Sequence, residues 1–202
     1  MARSKTARDA LLGKCFKGTI ITDRYGVYTS MKVWHQYCLA HVKRNIKRFA
    51  QGDTDAKWIA EEILTNLDQV FISWRYFQGN ELSHAQLKRR VYYRRQNIAD
   101  LLNIGSRAAD SKFVTLCKNL TQNFEKLWLF VTKRDVEPTN NEAERSLRQI
   151  VLYRKKSLGT KSQVGMAFVA TIFTICQTLR KQGRNILQFI TEAIEGTSPC
   201  IV

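Results

Sequence analysis

The sequence predicts an α/β chain that is predominantly helical, with two parts of an α/β core separated by a helical insertion. Three observations lead there. The β-branched run Thr19-Ile20-Ile21-Thr22, bounded by Gly18 and Asp23, has the composition of a buried strand. From about Gly52 onward, apolar residues recur at intervals of three and four, the period of a helix with one buried face. Only two prolines occur in 202 residues and there is no low-complexity tract, which argues against a disordered chain.

In chain order, Lys5 to Leu12 reads as a short helix stopped by Gly13. Residues Lys17 to Asp23 form the first strand, and Tyr25 to Tyr28 a turn or short helix. A second strand fits Trp34 to Leu39, and a helix runs from His41 to Phe49. Ile59, Ile63, Leu67, Val70, Trp74 and Phe77 make one apolar stripe. A helix from Ser83 to about Leu102 carries a basic face of Lys88, Arg89, Arg90, Arg94 and Arg95. One further helix is expected to carry Phe113, Leu116, Leu120, Phe124, Leu127 and Val131. Thr139 and Glu142 have capping-box spacing at the start of the next helix. A basic loop, Arg154 to Lys161, follows it. Val164 to Lys181 reads as an apolar helix with Phe168, Ile172, Ile175 and Leu179 on one face, ending at Gly183. Asn185 suits the cap of a last helix, Ile186 to Ile194.

Charge narrows the function. Thirty-three Lys and Arg against seventeen Asp and Glu give a net charge of +16. A field of that size attracts polyanions, and phosphate neutralisation makes the binding salt-dependent. The five cysteines are scattered, without a CxxC pair, as in a reducing cytoplasm. No apolar run reaches the roughly 20 residues that a membrane span needs. The basic segment Met1 to Gly13 lacks the apolar stretch of a secretory signal.

Three groups are candidates for chemistry. Asp23 follows an apolar strand, where α/β sheets collect functional side chains; it is also suited simply to start a turn before Tyr25-Gly26. Glu142 and Glu144, two residues apart on a helix, point to roughly opposite sides. Glu142 is accounted for by the cap, so Glu144 is the better functional carboxylate, with an ion pair to Arg148 as the plainer reading. Cys38 and His41 have C-x-x-H spacing, but a zinc site needs four ligands, and only His35 and Cys15 are near in sequence.

Three stretches carry a resemblance. Gly18 to Tyr28 (GTIITDRYGVY) and Gln36 to Arg44 (QYCLAHVKR), then Pro138 to Arg148 (PTNNEAERSLR) with Arg154-Lys155-Lys156 and Gly159, resemble in order and spacing the insertion-sequence sixty-six family of bacterial DDE transposases. The family's C-W-A-H stands here as Cys38-Leu39-Ala40-His41, one aromatic being replaced.

The resemblance implies an RNase H-like fold and metal-dependent DNA cleavage and strand transfer. Asp23 would be the second and Glu144 the third of three carboxylates that hold two divalent ions, Mg2+ or Mn2+. The Cys38–His41 pair would be structural or would support the active site. Arg145, Arg148, Arg154, Lys155, Lys156 and Lys161 would neutralise DNA phosphates. Residues 1–50 would form part of the RNase H-like core, 51–136 a helical insertion, and 137–202 the core helices with the glutamate motif. The family's first aspartate lies upstream of the helix matched by Lys5 to Leu12, so the chain is expected to be an N-terminally truncated copy that holds the metals incompletely. Implied partners are duplex DNA, both element ends and target, and a full-length transposase or a second copy, in the bacterial cytoplasm at the nucleoid. A non-enzymatic DNA-binding derivative is the alternative, and an unrelated basic RNA-binding helical protein a third.

Overall fold

The computed structural model describes residues 4–13, 15–157, 160 and 162–197. The chain divides into two compact units, Met1–Asn141 and Glu142–Val202.

In the first unit, helix α1 (Lys5–Leu12) is capped by Ser4, whose hydroxyl accepts the Ala7 N–H. It stops at Gly13, where φ is 81°, a backbone region that side chains with a Cβ avoid. Strand β1 (Thr19–Thr22), the short helix α2 (Gly26–Thr29) and strand β2 (Trp34–Tyr37) follow. Arg8 Nη1 donates to Val27 O at 2.6 Å, which ties α1 to α2. The strands pair in parallel from Thr19↔Trp34 to Thr22↔Tyr37, and form a two-stranded sheet among the described residues. Both are shorter than their apolar runs suggested. Beyond Tyr37 the chain turns at once: Cys38 is the N-cap of α3 (Leu39–Ala50), so Leu39 is helical.

Long helices then build the core. Helix α4 (Ala56–Gln78) buries Ile59, Ile63, Leu67 and Val70 along one stripe. Helix α5 (His84–Gly105) starts with a full capping box between Ser83 and Gln86. Helix α6 (Ser111–Gln122) is capped by Asp110, whose carboxylate accepts the Lys112 and Phe113 N–H groups. These helices, Tyr37 and Leu39 of the sheet-to-α3 turn, and Val42 and Ile46 of α3 share one hydrophobic cluster. Each large side chain in it contributes roughly 1.5–3 kcal/mol by leaving water.

The single helix expected over Phe113 to Val131 is instead broken into three pieces: α6, a 3-10 turn at Phe124–Leu127, and α7 (Leu129–Thr132). The break falls at Asn123, with φ −116° and ψ 25°. Its amide competes with the helix for hydrogen bonds: Nδ2 donates to Asn119 O, and Oδ1 accepts from Tyr37 Oη and Lys126 Nζ. Downstream, the buried Gln36 takes two backbone groups that a continuous helix would have used internally. Its Nε2 donates to Leu127 O at 3.0 Å, and its Oε1 accepts the Phe130 N–H at 3.0 Å. The apolar period survives because Leu127, Trp128, Phe130 and Val131 remain buried.

The second unit holds α8 (Asn141–Lys156) from its second residue on, α9 (Gln163–Lys181) and α10 (Ile186–Ile194). Glu142–Lys181, Gln149–Gln177 and Tyr153–Phe173 are successive rungs between α8 and α9, so the two run antiparallel. Asn185 caps α10 as expected, accepting the Gln188 N–H. The apolar face of α9 is only partly covered. Leu179 is buried, Ile172 and Ile175 are intermediate, and Phe168 is exposed. The stretch expected as a basic loop is in part helical, since Arg154, Lys155 and Lys156 form the last turn of α8. Cations there complement the negative end of the helix dipole. Lys161 and Gly159 lie outside the described residues, as does Cys200. Cys15, Cys38, Cys117 and Cys176 are free thiols.

Candidate functional site

Asp23 is the first residue past β1, and its position is fixed from behind. Thr22 O accepts the Cys38 N–H at 2.8 Å, which carries the strand pairing one residue beyond the sheet. Asp23 Oδ1 accepts the Tyr25 N–H at 3.2 Å, the turn-forming contact that its position before Tyr25-Gly26 suggests. Arg24 turns the other way, to Asn119 Oδ1 on α6 at 3.0 Å. Burial lowers the pKa of its guanidinium from the ordinary value, and the nearby Tyr37 opposes the shift.

Beneath Asp23 lies a polar network that the strand pattern alone did not reveal. The Thr22 hydroxyl donates to Asp23 O at 2.6 Å and also meets His35 Nε2 at 2.7 Å. A hydroxyl has one proton, so Nε2 must be the donor to Thr22 and His35 is the Nε2–H tautomer. Its Nδ1 is buried with no hydrogen-bond partner among the described residues. A second proton there would be a buried cation with nothing to accept from it. Burial accordingly pulls the His35 pKa down to about 4, and the positive charge of Lys126 adds to the shift. His35 also packs edge-on to Tyr37, with ring centroids 4.9 Å apart. The visible signal was two polar residues, His35 and Gln36, in a strand with no alternation: both are buried, and each is spent on a defined partner.

Cys38 and His41 are brought together by the start of α3. Cys38 is fully buried, and its carbonyl accepts the N–H groups of His41 and Val42 at 3.1 and 3.2 Å. The pair therefore marks a tight strand-to-helix joint. Among the described residues, no three His, Cys, Asp or Glu side chains gather into a metal-holding group.

The next residue, Leu39, donates its N–H to Pro138 O at 2.9 Å. The Pro-Thr-Asn-Asn segment thus leaves the first unit beside the C-terminal end of β2. Helix α8 begins at Asn141, which makes Asn140 the residue before it and shifts the start one position past the Thr139 cap expected from spacing. Glu142 is occupied otherwise, by Arg145 at 3.4 Å and Lys181 at 3.9 Å. Glu144 is exposed on the first turn of α8. At 3.6 residues per turn, Glu144, Arg148 and Lys155 fall on one line along the helix, with Arg145 and Lys156 to one side and Arg154 to the other. All five cations are exposed.

A family model described as "Transposase IS66 family" matches residues 1–167. No curated protein and no solved structure gives a significant match.

Proposed function

The chain belongs to the IS66 family of transposases, and we propose that it serves DNA cleavage and strand transfer with Asp23 and Glu144 as two of the three acidic residues of a DDE centre. In this reading residues 1–50 and 137–202 contribute to an RNase H-like core, and residues 51–136 are its helical insertion. The observation that carries it is the backbone joint at the strand ends. Cys38 N to Thr22 O, then Leu39 N to Pro138 O, holds Pro138, the first residue of the glutamate motif, at the sheet end where Asp23 stands. Strand ends of this kind collect catalytic groups in open α/β sheets.

Transposases of the DDE class use divalent ions, and the carboxylate oxygens of Asp23 and Glu144 are the hard donors that Mg2+ or Mn2+ prefers. Such ions, when bound, activate a water or a 3′-hydroxyl and stabilise the leaving oxygen. The protein's own side chains do the rest. The Tyr25 N–H and the Thr22–His35 contact behind it steady Asp23. Arg148 and Lys155, in line with Glu144, neutralise phosphates next to the reacting bond, and Arg145, Lys156, Arg154 and Lys161 extend that contact. The partners are duplex DNA of the element ends and target, and a second copy or a full-length transposase, in the bacterial cytoplasm.

The test is strand transfer in an active preparation carrying all three carboxylates. Glu144→Gln is expected to lose at least about 100-fold in rate with folding intact. Glu142→Gln, which removes two surface ion pairs, is expected to keep activity within about twofold. Equal losses from the two would contradict the assignment. Salt-sensitive duplex binding without any metal-dependent reaction would favour a purely DNA-binding role.

A further inference from the structure

We propose that the groove between α4 and α5 binds unpaired DNA, with Arg90 and Arg94 on phosphates and a base stacked on Tyr93. The nature of the polyanion rests on the transposase reading; the groove lies wholly within the first unit.

Helix α5 turns Leu87, Val91, Ile98 and Leu102 to the core and leaves Lys88, Arg89, Arg90, Tyr92 and Tyr93 exposed. A solvated helix face usually intersperses acids at i+3 or i+4 to offset such charge. Here no acidic residue occurs from His84 to Ala99. Arg95 pairs with Glu125, whereas Lys88, Arg89, Arg90 and Arg94 have no ion pair among the described residues. The uncompensated charge is concentrated along a concavity. One groove of 490 Å³ is lined by Gln69, Ile72 and Ser73 of α4 and Arg90, Tyr93 and Arg94 of α5. A second, of 330 Å³, shares Arg90 and Tyr93 and adds Arg89.

The aromatic residues decide which form of DNA fits. Tyr93 is 64% exposed and Tyr92 55%. The Arg90 guanidinium lies 5.8 Å from the centre of the Tyr76 ring. Cations alone would suit any phosphate backbone. A duplex hides the faces of its bases, whereas an unpaired base offers one to an exposed ring, the arrangement that single-strand binders use. Cutting and joining strands creates such unpaired segments.

Fluorescence anisotropy of the whole chain, without metal ions, tests this with a labelled 15-nucleotide oligothymidine and a duplex of equal length across a salt series. Tyr93→Ala should weaken oligothymidine binding about tenfold or more, Tyr93→Phe should retain it, and duplex binding should change less than about twofold. Joint Arg90→Ala and Arg94→Ala should flatten the single-strand salt slope by about 1.4, at roughly 0.7 per phosphate. Wild-type affinity for oligothymidine in Tyr93→Ala, equal loss of both DNA forms, or no oligothymidine binding by the parent chain would overturn the proposal. Loss of oligothymidine binding on Lys155→Ala with Lys156→Ala, but not in the groove variants, would overturn it while leaving the transposase reading intact. The absence of metal separates either result from a failed catalytic centre.

Discussion

His35 shows how a single tautomer ties fold to pH. The Thr22 hydroxyl proton goes to Asp23 O, which commits Nε2 to donating, and the buried Nδ1 has no acceptor for a second proton. The folded pKa, about 4, lies below the ordinary 6.5. Protons therefore bind the unfolded chain first as pH falls. The stability contributed by neutral His35 is full above pH 6.5 and is lost progressively down to about pH 4. Its upper bound is about 3 kcal/mol. Urea unfolding at pH 7 and pH 4.5 should show a larger loss in the parent chain than in His35→Gln, which cannot charge. Equal losses would mean that the histidine is not held neutral. Polar positions differed in how far they were legible in sequence. Asp23 and Glu144 stood out because each followed a recognisable structural signal, a strand end or a helix start. Gln36 showed only as a polar residue in a strand without alternation, and its role was hidden because its partners, Leu127 O and Phe130 N, lie some ninety positions away.

Among the elements, helices set by local periodicity were legible, and those shaped by distant contacts were not. Ile59, Ile63, Leu67 and Val70 on α4 face the core as their spacing implies. The run from Phe113 to Val131 keeps that spacing yet breaks at Asn123, where Tyr37 and Lys126 claim the amide. The turn of Arg154 to Lys156 read as loop because its residues are polar; helix-dipole stabilisation has no apolar signature. Packing between elements was also invisible in one dimension. A Cβ added at Gly105 would stand 2.7 Å from Cys117 Sγ and 2.8 Å from Phe113 Cε1, both buried on α6. Gly105 is therefore what lets α5 approach α6. Gly105→Ala should destabilise the chain by about 1–3 kcal/mol through overpacking. A chemical-denaturation midpoint equal to that of the parent would show that the interface yields freely.

For the molecule as a whole, charge and motif order were legible, and the arrangement of the sheet less so. A net charge of +16 is that of a protein that attracts polyanions, and the family match spans residues 1–167, over which the motifs fall in order. Composition could not show where that charge concentrates. It lies in at least two places: the end of α8, and the α4–α5 groove with its tyrosines. Among the described residues no helix is long and apolar enough to cross a membrane. The central claim concerns which carboxylates serve the chemistry. Cysteine substitution with metal replacement tests it most directly, in strand transfer by an active preparation. Asp23→Cys and Glu144→Cys should each be inactive with Mg2+ and regain activity with Mn2+, which accepts a softer ligand. Glu142→Cys should work with either ion. Full Mg2+ activity in Asp23→Cys or Glu144→Cys, or the same dependence on Mn2+ in Glu142→Cys, would contradict the account.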